Sequence, residues 1–396
     1  MRILINDFGG YPFPVQLSRQ LASEGHYILH VYIKNIKTPH GNMEATGPNL
    51  EIVPIILKSE FKKYSALGRL KGEHEYAGKV KYIIDSFKPD IFLSANTPLF
   101  AQRVLLHKCR KSNIKFIYWC QDIHSIAIKS VFQKKMLVAG KLLGNFFKNI
   151  ERKLLKQSDH IITISDDFDD ILLSWGISGE KISVIHNWGP IDEIILLPKS
   201  NNWSRRLGLG SKFVILYSGT LGLKHNPMLI AEAAKKIVKD ERILFLVISE
   251  GIGAEILQRQ IHDMRLTNLM VLPYQDYKDL SMVLGSADIL LSILEEDAAL
   301  FSVPSKVLTY LCAKKPIVLS VTETNLSAKI VSGSNAGFCA APNDVNSLVD
   351  KINILVSDEE LRKSMGENGR AYAARNFNII HITEKFIDIF RKVTEK

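Results

Sequence analysis

The chain has 396 residues, of which 46% are hydrophobic and 23% charged, with a formal net charge of +10. That length exceeds what one hydrophobic core usually serves and points to two domains, while the composition excludes a disordered or fibrous chain. No run reaches the roughly 18 apolar residues of a membrane span, and Asp7 interrupts the N-terminus before a signal-length apolar region, so no secretion signal is expected.

Short apolar runs alternate with amphipathic ones through the first half. Strands are predicted at 2–6, 28–33, 51–56, 91–94, 115–119, 160–164 and 182–186, with helices at 14–24, 72–87 and 98–111 among the segments between them. Several strands are apolar on both faces, which is how parallel strands read when helices cover both sides of the sheet. The first strand runs into Asn6-Asp7-Phe8-Gly9-Gly10-Tyr11-Pro12. Gly9 and Gly10 there would allow close approach of a ligand. The strand at 115–119 leads into Cys120-Gln121-Asp122-Ile123-His124-Ser125, placing an acid and a histidine just beyond a buried strand. The four cysteines (Cys109, Cys120, Cys312 and Cys339) lie far apart and read as core residues in a reducing compartment, not as a zinc or disulfide framework.

Residues 129–156 carry Lys129, Lys134, Lys135, Lys141, Lys148, Arg152, Lys153 and Lys156 against the single acid Glu151. Phe132, Met136, Leu143, Phe147, Ile150 and Leu154 recur at helical spacing. A basic amphipathic helix with bulky apolar residues reads as lying at a membrane interface; the alternative is a core helix with one solvated face. Lys58, Lys62, Lys63, Arg69 and Lys71 form a second basic patch. No helix-turn-helix, zinc-finger or RNP signature accompanies the charge, so nucleic acid is not the expected partner.

The rhythm restarts after 197–210, a Pro-, Ser-, Asn- and Gly-bearing stretch that suits a linker. Further strands are predicted at 213–217, 243–248, 269–273, 288–293 and 316–321, and a last helix at 379–393 after a break at 376–378. Two βα repeats joined by a linker imply two doubly wound Rossmann-like α/β domains, 1–196 and 197–377, facing a central cleft, with the helix at 378–396 free to pack back on the first. Three motifs follow strands of the second domain: Ser218-Gly219-Thr220-Leu221-Gly222-Leu223-Lys224-His225; Ser249-Glu250-Gly251-Ile252-Gly253; and Glu295-Glu296-Asp297 leading to Pro304-Ser305-Lys306-Val307-Leu308-Thr309-Tyr310-Leu311. Glycines between a strand and a helix let backbone N–H groups approach a phosphate, and Lys224 and Lys306 are candidate countercharges.

This set, with Leu272-Pro273-Tyr274-Gln275, Lys315-Pro316-Ile317-Val318 and His186-Asn187-Trp188, resembles the retaining GT-B glycosyltransferases of family four. Within them it resembles the enzymes that build bacterial O-antigen, capsule and colanic-acid repeats, N-acetyl-fucosamine transferases included. The resemblance implies a UDP-linked donor held by Gly219, Thr220, Gly222, Lys224, Gly251, Ser305 and Lys306, with Tyr274 and Gln275 bordering the base. No H-E-x-x-H is present and no D-x-D follows a strand where a metal-dependent transferase would want one, so metal-independent catalysis with no cofactor is expected, and Gly9, Gly10 and Asn187 are the candidates for the acceptor side and cleft. Asp122 would orient or deprotonate an acceptor hydroxyl and His124 would bond the sugar. Members carry two glutamates at the spacing of Phe301 and Thr309. Here Thr309 stands in the ribose position, and Glu295, Glu296 or Asp297, from a shifted loop, would supply the sugar contact, Glu296 being the first candidate. A polyisoprenyl-diphosphate-linked saccharide at the cytoplasmic face of the plasma membrane would fit the basic patches. A sugar-nucleotide epimerase or hydrolase on a similar scaffold is the rival reading, and a non-enzymatic anion-binding protein the third.

Overall fold

The computed structural model describes residues 1–395 apart from 37, 39, 59–60, 62–64, 134–136, 223 and 299–301. The chain divides into two compact units, Met1–His186 with Asn378–Lys396, and Asn187–Phe377.

The first unit runs β1 (Arg2–Asp7), α1 (Pro12–Ser23), β2 (Tyr27–Ile33), β3 (Leu50–Ile55), α2 (Ala66–Phe87), β4 (Ile91–Ala95), α3 (Leu99–Lys111), β5 (Lys115–Cys120), α4 (His124–Gln133), α5 (Leu137–Gln157), β6 (His160–Thr163), α6 (Asp166–Ser174) and β7 (Ile182–Val184). All seven strands are parallel, in the order β3-β2-β1-β4-β5-β6-β7. The strands read as unbroken apolar runs because helices cover both faces; every residue of β4 is buried. Helix α1 starts where Pro12 fits the first turn, which has no N–H to lose. Helix α2 starts six residues before the expected 72, because Ser65 caps it through the Gly68 N–H.

The second unit runs α7 (Asn202–Arg206), β8 (Phe213–Ser218), α8 (Pro227–Lys236), β9 (Ile243–Ile248), α9 (Ile252–Asp263), β10 (Leu269–Leu272), α10 (Leu280–Gly285), β11 (Ile289–Ile293), α11 (Lys306–Cys312), β12 (Ile317–Ser320), α12 (Leu326–Gly333), β13 (Gly337–Ala340), α13 (Val345–Ser357) and α14 (Glu359–Asn376). Its parallel sheet has the order β10-β9-β8-β11-β12-β13. Edge strand β13 was not expected, since Gly-Phe-Cys-Ala lacks the β-branched signature. A Cβ at Gly337 would lie 1.8 Å from the Ile317 carbonyl oxygen, so only glycine lets this strand pair with β12.

The break at 376–378 is a helix cap. Asn378 accepts from the Ile380 and His381 N–H groups at 2.9 and 3.3 Å and opens α15 (Ile379–Thr394). Helix α15 packs in the first unit, where the Phe386 ring meets Trp119 edge-on at 5.0 Å and Trp119 meets Phe13 at 5.5 Å. The expected boundary at 197 moves to 187. Residues 187–196 are tied into the second unit by the Glu193 carboxylate, which accepts from Tyr277 Oη at 2.6 Å, and by the Ile195 N–H, which donates to Ser281 Oγ at 3.0 Å.

The single basic helix expected over 129–156 is two helices. Residues 134–136, and with them Lys134, Lys135 and Met136, lie outside the described residues, as do Lys62 and Lys63 of the second patch. Gly144 lies against Lys129, where a Cβ would come within 2.6 Å of the lysine stem, so α4 and α5 pack side by side. Within the described part of the apolar stripe, Leu154 is buried and Phe147 packs edge-on against Phe100 of α3 at 5.8 Å. Among the described residues of α5, Leu142 (69%) and Phe146 (53%) are exposed apolar side chains, one turn apart, among exposed Lys141, Lys148 and Lys153.

Candidate functional site

In an open parallel sheet, ligands bind beyond the strand C-terminal ends, at the point where strand order reverses. In the second unit this falls between β8 and β11, so the loops 219–226 and 294–305 flank the crevice. Gly219 opens the first loop at φ +133°, a backbone conformation that side-chain-bearing residues rarely adopt. A Cβ there would stand 3.0 Å from Lys306 Cε. Lys306, the first residue of α11, lays its ammonium 3.6 Å from the Tyr217 ring centre, donates to the Tyr217 hydroxyl, and reaches the Thr220 carbonyl at 3.3 Å. The residue keeps part of its surface accessible, but its ammonium end is enclosed. Burial, with the Lys224 charge nearby, pushes its pKa well below the ordinary lysine range.

Two tyrosines fix this arrangement. Tyr217 donates to the Thr220 carbonyl at 2.7 Å. Tyr310 accepts from the Ser218 N–H at 2.9 Å and donates to the Ser218 carbonyl at 3.1 Å, gripping both backbone groups where β8 ends. Lys224 donates to the buried Ser302 Oγ at 2.6 Å, and its carbonyl accepts from the Glu295 N–H at 3.1 Å, joining the two flanking loops. The Gly222 N–H donates to His225 Nδ1 at 3.0 Å. Asn226 caps α8 through the Met228 N–H, and Pro227 fills the first helical position.

The loops after β9 and β10 complete the cluster. Gly251 holds φ +89° at the start of α9. The Leu221 carbonyl accepts from the Gly253 N–H at 3.2 Å, and a Cβ on Gly253 would meet that oxygen at 2.2 Å. Gly253→Ala should therefore shift the 219–225 loop and destabilise the second unit by about 1–3 kcal/mol, the usual range for overpacking; thermal denaturation with and without nucleotide measures both effects. Tyr274 donates to Thr220 Oγ1 at 3.2 Å. Gln275 is committed at both ends, accepting from Trp203 Nε1 at 3.0 Å and donating to the Pro273 carbonyl at 2.9 Å, so its side chain braces the loop.

Gly219, Thr220, Gly222, Lys224, Gly251, Tyr274 and Lys306 thus stand together in one loop cluster, with Ser305 exposed at the start of α11 and Thr309 partly buried on it. Glu296 is exposed in the 3-10 turn Glu296–Ala298, whereas Glu295 is the acid whose backbone meets Lys224. Phe301 lies outside the described residues. Asn187 is buried within the second unit, two residues before Gly189, where a Cβ would meet the Leu308 carbonyl of α11 at 2.3 Å.

In the first unit the strand order reverses between β1 and β4. Asp7 is buried there and accepts from the Gly9 and Tyr11 N–H groups at 3.2 and 2.6 Å. Burial outweighs these bonds and raises its pKa to about 7. Asn6 donates to Ser94 Oγ and Thr97 Oγ1 at 3.2 and 2.6 Å and accepts from Tyr76 Oη at 2.6 Å, tying β1 to β4 and α2. Gly9 and Gly10 are not open ground for a ligand: both are buried. A Cβ on Gly9 would meet the Tyr11 ring at 2.1 Å, and one on Gly10 would meet His40 at 3.0 Å, so the fold's own packing needs these glycines.

Asp122 and His124 follow β5 and are partly buried. Behind them lies Glu151, fully buried on α5, which sequence reasoning noticed only as the lone acid of a basic run. Its carboxylate accepts from the His124 and Ser125 N–H groups at 2.9 and 2.8 Å, satisfying the N-terminus of α4. Burial raises its pKa to about 7 against the pull of those bonds. Tyr217, Tyr310 and Ser302 were likewise missed as partners, although Tyr310 sits inside a quoted motif and Tyr217 ends the strand just before another. Among the described residues no group of three His, Cys, Asp or Glu side chains is placed to hold a metal ion, and no helix is long and apolar enough to cross a membrane.

Two family models match the chain: "Glycosyltransferase Family 4" over residues 14–192 and "Glycosyl transferases group 1" over residues 199–372. The putative colanic acid biosynthesis glycosyl transferase WcaI of Escherichia coli K12 is 24% identical over 309 residues, covering 77% of this chain and 74% of the relative. The UDP-Gal:alpha-D-GlcNAc-diphosphoundecaprenol alpha-1,3-galactosyltransferase of Escherichia coli is 25% identical over 280 residues, 68% of this chain and 67% of that one. The structure of Anabaena HepE in complex with UDP-glucose superposes with a TM-score of 0.72 at 15% identity, covering 99% of this chain and 100% of that one, a likeness of fold.

Proposed function

The chain belongs to the GT-B glycosyltransferases, its two halves matching the Family 4 and group 1 models in turn, and on that premise we propose that it transfers a sugar from a UDP-sugar to a lipid-linked saccharide in the assembly of a bacterial surface polysaccharide. The observation that carries the reading is the pairing of Lys306 and Lys224 with the glycine loop at the β8/β11 reversal. An ammonium buried on a tyrosine ring without a carboxylate is costly, and a diphosphate is the ligand that offsets that cost.

The UDP preference is supported by relatives and neighbours whose names carry UDP-Gal and UDP-glucose. The lipid-linked acceptor is supported by the diphosphoundecaprenol relative. Resemblance to the O-antigen, capsule and colanic-acid subgroup favours an N-acetylated amino sugar such as N-acetyl-fucosamine. In the proposed reaction the bond from the sugar C1 to the β-phosphate oxygen breaks as the acceptor hydroxyl oxygen bonds to C1 on the same face. The hydroxyl proton passes to the departing diphosphate, and configuration is retained. Lys306 and Lys224 stabilise the charge growing on UDP, the role a bound Mg²⁺ takes in other transferases, and Asp122 orients the acceptor hydroxyl. Exposed Leu142 and Phe146, among the lysines of α5, would seat the first unit on an anionic cytoplasmic leaflet. No observation favours the epimerase or hydrolase reading.

Calorimetry with UDP, GDP and dTDP should show selective UDP binding. Transfer from UDP-sugars to a polyprenyl-diphosphate N-acetylglucosamine in anionic vesicles should follow, with Leu142→Asp and Phe146→Asp together weakening vesicle sedimentation. A folded protein that binds none of the three nucleotides would sink the proposal.

A further inference from the structure

Tyr217 is the last buried residue of β8 and belongs to the apolar core of the second unit, with Ile215, Leu229, Ile230 and Ile293. A phenylalanine would fill that space as well, so it is the hydroxyl that asks for an explanation. Its proton goes to the Thr220 carbonyl at 2.7 Å. The oxygen lone pairs are left to accept, and the donor they meet is the Lys306 ammonium. Burial holds the phenol well above its ordinary pKa, so Tyr217 stays neutral and takes a hydrogen bond from the lysine, not its proton.

Lys306 opens α11 on a flexible four-carbon stem. The like charge of Lys224 nearby favours a swing out to solvent. Instead the stem passes Gly219, where a Cβ would stand 3.0 Å from Lys306 Cε, so the glycine keeps that passage open. The ammonium then lies 3.6 Å from the centre of the Tyr217 ring, whose face attracts a cation most strongly where water is excluded. Among the described residues its hydrogen bonds go to the Tyr217 hydroxyl and the Thr220 carbonyl, two of the three an ammonium can donate. Tyr310, at the same strand end, spends its hydroxyl on the Ser218 backbone.

Resting on the donor reading above, we propose that Tyr217 is a positioning residue for sugar transfer: its ring and hydroxyl hold the Lys306 ammonium, before the donor arrives, where the charge of the departing diphosphate grows. A donor fixed in advance contributes most because nothing has to reorient as that charge develops.

The test uses the full chain with Tyr217→Phe, which keeps the ring and removes one oxygen, and Tyr310→Phe beside it, each checked for wild-type melting. Isotope-labelled lysine lets NMR follow the titration of Lys306 in the ligand-free protein, its signal assigned by its loss in Lys306→Met. Without the hydroxyl the charged form loses a hydrogen bond, so the Lys306 pKa should fall further in Tyr217→Phe and stay in place in Tyr310→Phe. Transfer from a UDP-sugar should lose about tenfold in kcat in Tyr217→Phe, with the donor KM nearly unchanged, as when an interaction used in the transition state is removed. In a Lys306→Met background the same substitution should cost nothing more, because the group it positions is gone. Should Tyr217→Phe fail to fold, the wild-type spectrum decides: the Lys306 ε-methylene signals should be displaced upfield by the ring, and signals at the ordinary lysine position overturn the proposal. A Lys306 titration identical in Tyr217→Phe and wild type overturns it too. So does a tenfold loss that persists in the Lys306→Met background, which would make Tyr217 a prop of the loop backbone. A wild-type protein that binds no UDP overturns the donor reading and the role in transfer with it, while the lysine titration still responds to the hydroxyl; that pattern tells the two failures apart.

Discussion

Lys306→Ala should lower the rate of sugar transfer by about 10²–10³-fold, the loss typical when one preorganised donor to a developing oxyanion is removed, while leaving the fold at least as stable. Stability should not suffer because the ligand-free protein gains little from this ammonium. It is buried beside Lys224, with a tyrosine hydroxyl, a ring face and one carbonyl as its partners. Lys306→Met, which keeps the bulk over Tyr217, should hold or raise the melting temperature. The pH dependence follows from the same geometry. Burial holds the Lys306 pKa well below its ordinary value in the free protein, and a diphosphate beside it favours the charged form and raises that pKa. Nucleotide binding should then take up a proton between the two values, and affinity should weaken as pH rises through that window. Calorimetry in buffers of different ionisation enthalpy reads the proton directly. A UDP enthalpy independent of buffer, or an uptake that persists in Lys306→Met, would remove Lys306 from this role.

The second large effect concerns the first unit. Glu151→Ala should destabilise it by about 3 kcal/mol, because two backbone N–H groups at the start of α4 lose a buried acceptor together. Glu151→Gln, keeping one oxygen, should cost less. Burial raises the pKa of the Glu151 and Asp7 carboxyls to about 7, well above the ordinary carboxylate range. A raised acid binds protons in the folded state that the unfolded chain releases. Stability of this unit should therefore be lost as pH rises toward about 7 and regained as it falls back through that value. Urea denaturation between pH 5.5 and 8.5, followed at the unit's tryptophans, measures the slope. Asp7→Asn and Glu151→Gln should each flatten it, and a profile unchanged in both would contradict the assignment.

Much of this molecule was legible before any coordinates. Strands with side chains buried on both faces announce themselves as apolar runs, and a glycine loop between strand and helix is a local signal. The strands through β12 appear where the pattern puts them, to within two residues at each end. Partnerships formed across distance in sequence were not legible. Tyr310 grips Ser218 and Lys306 lies on Tyr217 across some ninety residues, with no periodicity to reveal either. Glu151 stood out in the sequence only as the single acid among lysines; the meeting of α4 and α5 shows that it is buried. The stripe from Leu143 to Leu154 could serve a membrane or a neighbouring helix equally well by its spacing. It serves α3, and the exposed pair Leu142 and Phe146 sits one residue ahead of it in register.

The return of α15 to the first unit has a consequence for how the protein is made. Phe386 covers Trp119, which in turn packs on Phe13, so residues near both ends of the chain complete one aromatic stack. A ribosome must finish the whole second unit before the piece that seals the first emerges. Until then the slot beside Trp119 stays uncovered, an apolar gap on an otherwise folded half, and a nascent chain halted before Asn378 would present it to chaperones and aggregating partners alike.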